Sequence, residues 1–298
     1  MEVGIHIPQV GPMAARSVVE PFARVADEAG FDGLWVFDHV LVRREQGESR
    51  YPYSASGQMG VRPELDFLEP LTQLAFLAGI TSRVRLGTSV LVLPMRQPVL
   101  HAKIMATIDF LSGGRFVLGA GVGWWKEEYD IMGVPFHERG RRMDECLQLV
   151  RALWTEDFVD FRGRYYEVVD WACNPKPVQA GGIPIWLGGE SPRQLERIGK
   201  YADGWHATAK SLPTLRDDFE IAREAARKAG RDADALRITL EGGGVLTPDN
   251  LDAAAEGLHR LKEMGLFHVI VGVHPRHMAE AAPILEEFGA KHLPSLHA

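Results

Sequence analysis

Cysteine is scarce in this chain of 298 residues, which holds two, Cys146 and Cys173. One lies in a helical pattern and the other in a polar loop, so no disulfide framework is expected, and a reducing, cytoplasmic setting fits best. No apolar run approaches membrane-spanning length. The N-terminus, MEVGIHIP, has neither the basic n-region nor the apolar h-region of a signal peptide. Positive charge is also short: 33 Lys and Arg stand against 40 Asp and Glu, a formal net charge of −7. That balance argues against nucleic acid and against an anionic membrane surface as partners. The dense basic cluster Arg139, Arg141 and Arg142 opens a helical pattern and is expected to be a solvated face. Histidine is plentiful at 11, but metal-ligand spacing is not. The first strand offers His6 alone where a barrel hydrolase needs His-x-His, and His274 with His277 stands in a loop, so no metal is expected. Lys210 is the lysine placed for Schiff-base chemistry, and it fits a helix start better.

What the chain has is alternation. Hydrophobic residues make up 46% and charged residues 24%, ordinary globular values with ample material for a core. Strand patterns at 3–7, 33–37, 84–93, 115–120, 183–187, 204–207, 236–240 and 267–271 alternate with helical patterns. The helices are expected at 17–29, 69–80, 98–111, 141–154, 192–201, 212–229, 249–264 and 278–288. Ser191-Pro192 and Thr247-Pro248 each read as an N-cap followed by a first-turn proline. Eight strand–helix units in one run predict a (β/α)8 TIM barrel forming a single domain over residues 1–298. A doubly wound open sheet is the runner-up. Polar or turn-rich stretches at about 41–65, 121–138 and 157–180 read as insertions at the C-terminal face, and loops of that length are usually functional.

In a barrel the active site lies where the strands end. The strand ends are His6 to Gln9, Asp38-His39, Ser89-Val90 onward, Gly119 to Trp125, Leu187 to Ser191, Trp205-His206, Glu241 to Gly244, and Val273-His274. Gly188, Gly189, Glu190 and Ser191 join a strand to a freshly capped helix. That places free N–H groups and the positive end of a dipole together, as an anion site or as an ordinary turn. Gly119-Ala120-Gly121-Val122-Gly123 imitates a dinucleotide fingerprint, but Trp124 occupies the position of its third glycine, so a nicotinamide site is rejected. The glycines instead allow close backbone approach to something flat, or clear the barrel mouth of bulk. Asp38 and His39 are adjacent on a strand and point oppositely, so one of them faces the pocket. His39 exchanges a proton near neutral pH if it is the one.

WVFDH at 35–39, RVRLGTSVLVLP at 83–94, LSGGRFVLGAGVGW at 111–124, PIWLGGESP at 184–192 and ADGWH at 202–206 resemble the bacterial luciferase-like superfamily. Within it they are most similar to the branch that uses the deazaflavin coenzyme F420, and the match runs in order along nearly the whole chain. The resemblance implies a usually dimeric (β/α)8 barrel that binds F420, or alternatively FMN, at its C-terminal mouth. It implies that Asp38 and His39 flank the ring as catalytic residues, with His39 near the reacting carbon. It puts a non-prolyl cis peptide at Ser89 and Val90 behind the ring, Gly121, Val122 and Gly123 beneath it, and Gly188 to Ser191 on the cofactor phosphate. His6, Trp124, Trp205 and His206 are expected to wall the substrate pocket. One position departs: sugar-phosphate and alcohol dehydrogenases of this branch carry a glutamate where this chain has Trp124. That points to an apolar or aromatic substrate and leaves Glu127 or Glu128 as the substitute acid. The activity implied is hydride transfer between F420 and a small organic molecule, with a reduced-FMN monooxygenase as the near alternative. A TIM-barrel lyase or isomerase of a phosphorylated substrate is the more distant one.

Overall fold

The computed structural model describes residues 1–298. Its strands are β1 (Glu2–His6), β2 (Gly33–Val36), β3 (Arg85–Thr88), β4 (Leu91–Val92), β5 (Phe116–Gly121), β6 (Val159–Arg162), β7 (Glu167–Trp171), β8 (Ile185–Gly188), β9 (Gly204–Thr208), β10 (Arg237–Leu246) and β11 (His268–Val273). The helices are α1 (Arg16–Glu28), α2 (Pro70–Ile80), α3 (Pro98–Ser112), α4 (Lys126–Ile131), α5 (Arg139–Thr155), α6 (Pro192–Tyr201), α7 (Leu215–Lys228), α8 (Leu251–Glu263), α9 (Ala281–Lys291) and α10 (Leu293–His297). The large sheet runs β3-β2-β1-β11-β10-β9-β8-β5-β4, and a further β3–β5 pairing closes it. Every pairing in it is parallel, and the closing register sets Leu86 against Phe116 and Gly87 against Val117. This is the eight-stranded (β/α)8 barrel expected from the alternation, with β6 and β7 as an antiparallel hairpin in the 157–180 stretch. No helix is long and apolar enough to cross a membrane.

Local chemistry explains where elements begin. Ser191 caps α6 by accepting from the Gln194 N–H, with Pro192 in the first turn, as the sequence predicts. The Thr247-Pro248 signal is misleading: the helix starts later, at Leu251, because the Asn250 side chain accepts from Thr247 N and closes a turn first. The third barrel strand is broken into β3 and β4 by the cis peptide Ser89–Val90, so the expected continuous run over 84–93 is two pieces. β10 extends six residues past Leu240, with a register shift between Glu241 and Val245 against β11. α4 and α10 have no counterpart in the sequence pattern, being six and five residues long and too short to show a period.

The barrel interior is plugged below the site. Trp35 of β2 and Trp186 of β8 stack with centroids 5.1 Å apart, beside Val117 and Ile270. Glycines opposite make the room: a Cβ on Gly87 would lie 2.2 Å from the Trp35 ring, and one on Gly4 2.3 Å from its indole nitrogen. Large side chains facing glycines fill the barrel axis without voids. Cys146 and Cys173 are both buried and unpaired, and burial pushes the Cys146 thiol up to about 12, so it stays inert.

Candidate active site

Above the tryptophan plug, the strand ends open into a cavity of about 1010 Å³. Its floor and walls come from His6, Phe37 to His39, Ser89, Val90, Gly121 to Trp124, Gly188, Gly189, His206, Thr208 and Glu241. The 41–65 segment supplies Tyr51 to Ala55, Met59 and Val61, so this loop covers the mouth. The loop is held in place. Trp125 donates from its indole to the Gln46 carbonyl at 2.8 Å, and Glu127 accepts from Glu48 N at 2.8 Å and Ser49 Oγ at 2.5 Å. Tyr51 meets Trp124 edge-on at 5.3 Å. The first turn of α4 therefore fastens successive points along the loop and sets an aromatic surface over the cavity.

Asp38 and His39 lie just past the end of β2, where the chain is no longer a strand, and they part ways. Asp38 is fully committed to structure: its Oδ1 accepts from Arg96 Nη2 at 2.6 Å and its Oδ2 from Val92 N at 2.8 Å, with both side chains buried. The expectation of a catalytic carboxylate at Asp38 is corrected by this ion pair, which ties the exit of β2 to the segment after β4. His39 turns the other way. Its Nδ1 pairs with Glu128 Oε2 at 2.9 Å, while Glu128 Oε1 accepts from Val40 N at 2.6 Å. Trp124 and Trp125 lie edge-on to the ring at 6.0 and 5.4 Å. With Nδ1 engaged by the carboxylate, Nε2 is the nitrogen left for the cavity.

Four further polar residues form one connected group on the floor, with Thr239 behind them. His6 Nε2 lies 2.7 Å from Glu241 Oε1, Ser89 Oγ 2.7 Å from Glu241 Oε2 and 2.8 Å from His206 Nε2. His206 Nδ1 lies 2.7 Å from Thr239 Oγ1. Burial opposes charge on His6, but Glu241 outweighs it and raises the imidazole pKa above its ordinary value. Burial likewise opposes ionisation of Glu241, and His6, His206 and Ser89 overcome it, holding the carboxyl below its usual range. For His206 burial outweighs the pull of Glu241, pushing it down to about 4 and keeping it neutral.

Glycines shape the remaining walls. A Cβ on Gly121 would sit 2.7 Å from Val90, beside the cis bond, and Gly189 adopts a φ of +112° that side chains resist. At the Gly188–Ser191 turn, the N–H groups of Gly189, Glu190 and Ser191 donate to no protein acceptor. Unclaimed donors at a helix start suit a phosphate. The two side chains of this turn are engaged elsewhere, so it is the backbone that it offers to the cavity. Ser191 is spent on capping α6, and Glu190 accepts from Thr208 Oγ1 at 2.8 Å and Ser211 Oγ at 3.1 Å. Lys210, set aside by the sequence reading, lines this corner instead.

Trp205 is a second correction. It belongs to the layer between sheet and helices, donates to the Gly189 carbonyl at 3.1 Å, and supports the Gly188–Ser191 turn from behind without walling the pocket. His6, Trp124 and His206 do line it. Glu127 and Glu128 both turn into the loop, so neither presents an acid to the cavity in place of the glutamate absent at 124. The residue that sequence reasoning passed over is Glu241. Its place at a strand end was the available signal, and nothing in its neighbours singled it out. Arg96 carried no signal at all, its partner being 58 residues away.

A closed barrel with a deep cavity at its strand ends, glycine walls and paired imidazoles is the architecture of a TIM-barrel enzyme that holds a flat ligand. The chain belongs to the luciferase-like monooxygenase family, whose model matches residues 1–295. It is 33% identical over 236 residues to an F420-dependent glucose-6-phosphate dehydrogenase of Amycolatopsis mediterranei, covering 75% of this chain and 64% of that one. Among solved structures, monooxygenase RslO1 from Streptomyces bottropensis superposes with a TM-score of 0.78 at 20% identity over 100% of both chains. An F420-dependent secondary alcohol dehydrogenase in complex with an F420-acetone adduct does so with a TM-score of 0.77 at 19% identity, over 99% of this chain and 98% of that one. These two likenesses are of fold.

Proposed function

We propose that the protein is an oxidoreductase that passes a hydride between coenzyme F420 and a small organic substrate with an apolar or aromatic body. The observation that carries this reading is His39, its Nδ1 fixed by the buried Glu128, presenting Nε2 to a cavity backed by the Ser89–Val90 cis peptide. The cavity suits the cofactor. Its volume admits a tricyclic ring with a phosphorylated side chain, the Gly121–Gly123 wall leaves flat space, and the free N–H groups of Gly189, Glu190 and Ser191 with Lys210 suit the phosphate. When bound, F420 supplies two-electron hydride chemistry at its ring. The chain supplies the rest: His39 positions a proton at the reacting centre through Nε2, and the docked 41–65 loop excludes water. Tyr51, Tyr53, Met59 and Trp124 receive the substrate body. The named activity of the 33% identical relative supports F420 over other ring cofactors. The second reading, a reduced-FMN monooxygenase on the same scaffold, is in keeping with the luciferase-like monooxygenase family.

Titration of the purified protein with F420 and with FMN, followed by fluorescence, separates the two. F420 saturation without FMN binding is expected. FMN saturation without F420 binding overturns the proposal. Single-turnover oxidation of reduced F420 against a panel of aryl and alkyl carbonyl compounds then defines the substrate.

A further inference from the structure

Trp124 stands where the resemblance implies a glutamate in sugar-phosphate and alcohol dehydrogenases, and Glu127 and Glu128, which follow it, face the loop. Glu241 reaches the cavity from the other side of the barrel, on β10, with its carboxyl partly open to the space and His6 beside it. We propose that His6 and Glu241 together supply the catalytic proton of this site, His6 holding it and Glu241 carrying it to the substrate, with Ser89 and His206 as positioning residues. This rests on the hydride-transfer reading above.

The hydrogen-bond order supports it. Ser89 has one hydroxyl proton and two neighbours within bonding distance, Glu241 Oε2 at 2.7 Å and His206 Nε2 at 2.8 Å. His206 is neutral and holds one ring proton. With Glu241 ionised, the shorter contacts fix one order: Ser89 donates to Glu241, His206 donates from Nε2 to Ser89, Thr239 donates to His206 Nδ1 in preference to its longer 3.3 Å contact with the Trp205 carbonyl, and His6 donates from Nε2 to the other Glu241 oxygen. The chain runs one way and ends on the carboxylate that faces the cavity. His6 Nδ1 is sealed from the cavity, so the pair meets a ligand at Glu241 and at the Nε2 edge.

With a carbonyl substrate the step balances. The carbon receives a hydride and its two electrons from the reduced deazaflavin, and the C=O π pair moves to oxygen. That oxygen takes the one proton held between His6 and Glu241. The pair is left as neutral imidazole and carboxylate, and water restores the proton. The titratable groups around it are Tyr51, whose phenol is raised by burial and then by Glu241, His206 on β9, and the His268–Glu2 pair one layer lower.

The test begins without cofactor. Histidine-labelled protein is titrated by NMR, with His6→Gln assigning the His6 signal. His6 is expected to titrate above 6.5 and to fall when Glu241→Gln removes the carboxylate charge, and His206 is expected as the Nε2–H tautomer. A His6 titrating at or below 6.5 in the unaltered protein overturns His6 as the holder of the proton. Reduced F420 is then mixed with the responsive carbonyl compound. Glu241→Gln is expected to slow single-turnover oxidation roughly 10²–10⁴-fold. F420 affinity is expected to stay within about threefold. The unaltered rate is expected to fall as pH rises through the His6 titration, and Glu241→Asp to recover part of the rate. An unchanged rate and pH profile in Glu241→Gln overturns the proposal. Failure of F420 to bind the unaltered protein overturns the function reading instead, and leaves the NMR result standing on its own.

Discussion

Two glutamate–imidazole pairs meet the same cavity with nearly the same contact, 2.9 Å for His39 with Glu128 and 2.7 Å for His6 with Glu241. Their burial separates them. His39 and Glu128 have side chains 8% and 5% exposed, whereas His6 and Glu241 are at 23% and 32%. Glu128 also takes the Val40 N–H, so its carboxylate is locked into the loop and the imidazole is what remains for the ligand. On the floor the arrangement is reversed: the imidazole has its back nitrogen buried, and the carboxylate is the open group. The same two residue types therefore present opposite ends. What a carboxylate–histidine pair does depends on which member the fold leaves accessible.

Removing His39 breaks the comparison hardest. His39→Ala is expected to lower turnover about 10²–10⁴-fold while F420 affinity changes little, measured by single-turnover rate and by titration. Equal activity in the variant removes His39 from the reaction. Its sequence neighbour gives the contrasting outcome. Asp38→Ala leaves buried Arg96 with the more exposed Glu69 as its one counter-ion and is expected to cost about 3 kcal/mol of stability in urea unfolding, the low end for a broken buried pair. Asp38→Leu combined with Arg96→Met is expected to recover much of that loss. A cost below about 1 kcal/mol, the range of an exposed pair, would mean the Asp38–Arg96 contact is solvated. Glu128→Gln keeps the shape and the acceptor but removes the charge from the His39 pair. A loss of about tenfold in turnover, roughly 1.4 kcal/mol, is expected together with unchanged F420 affinity. Loss of affinity alone would make Glu128 a loop anchor with no bearing on His39.

The barrel was legible because its signals are local. Each strand and helix carries its own period, and the Ser191-Pro192 cap needs only four residues to be recognised. The glycine walls and His39 were legible too, since strand ends in a barrel share one mouth. Side-chain direction was not. Trp205 and His206 are neighbours, and the half-turn between them sends one into the outer layer and the other to the floor. The partners of Asp38, His39 and His6 lie 58, 89 and 235 residues away, and no local pattern announces such pairings. The loop was identified as a cover from its length, but its attachment to α4 through Glu127 and Trp125 is a tertiary fact. The missing family glutamate drew attention to its sequence neighbours, whereas the carboxylate that opens to the cavity comes from another strand.

The smallest expected effect concerns stability against pH, and it tests whether the floor pair is charged in the folded protein. Glu241 is held below its ordinary 4.5, so its contribution is present above 4.5 and is lost as pH falls through the lower folded value. His6 is raised above 6.5, so its contribution is complete below 6.5 and is lost as pH rises through the folded value. The two limbs overlap between 4.5 and 6.5. The stability difference between the unaltered protein and Glu241→Gln is therefore expected to be widest in that window and to shrink on both sides, as followed by urea midpoints at several pH values. His39→Gln provides the counterpart measurement on the loop pair. A difference for Glu241→Gln that is flat from pH 4 to 9 would show that the His6–Glu241 contact is a neutral hydrogen bond.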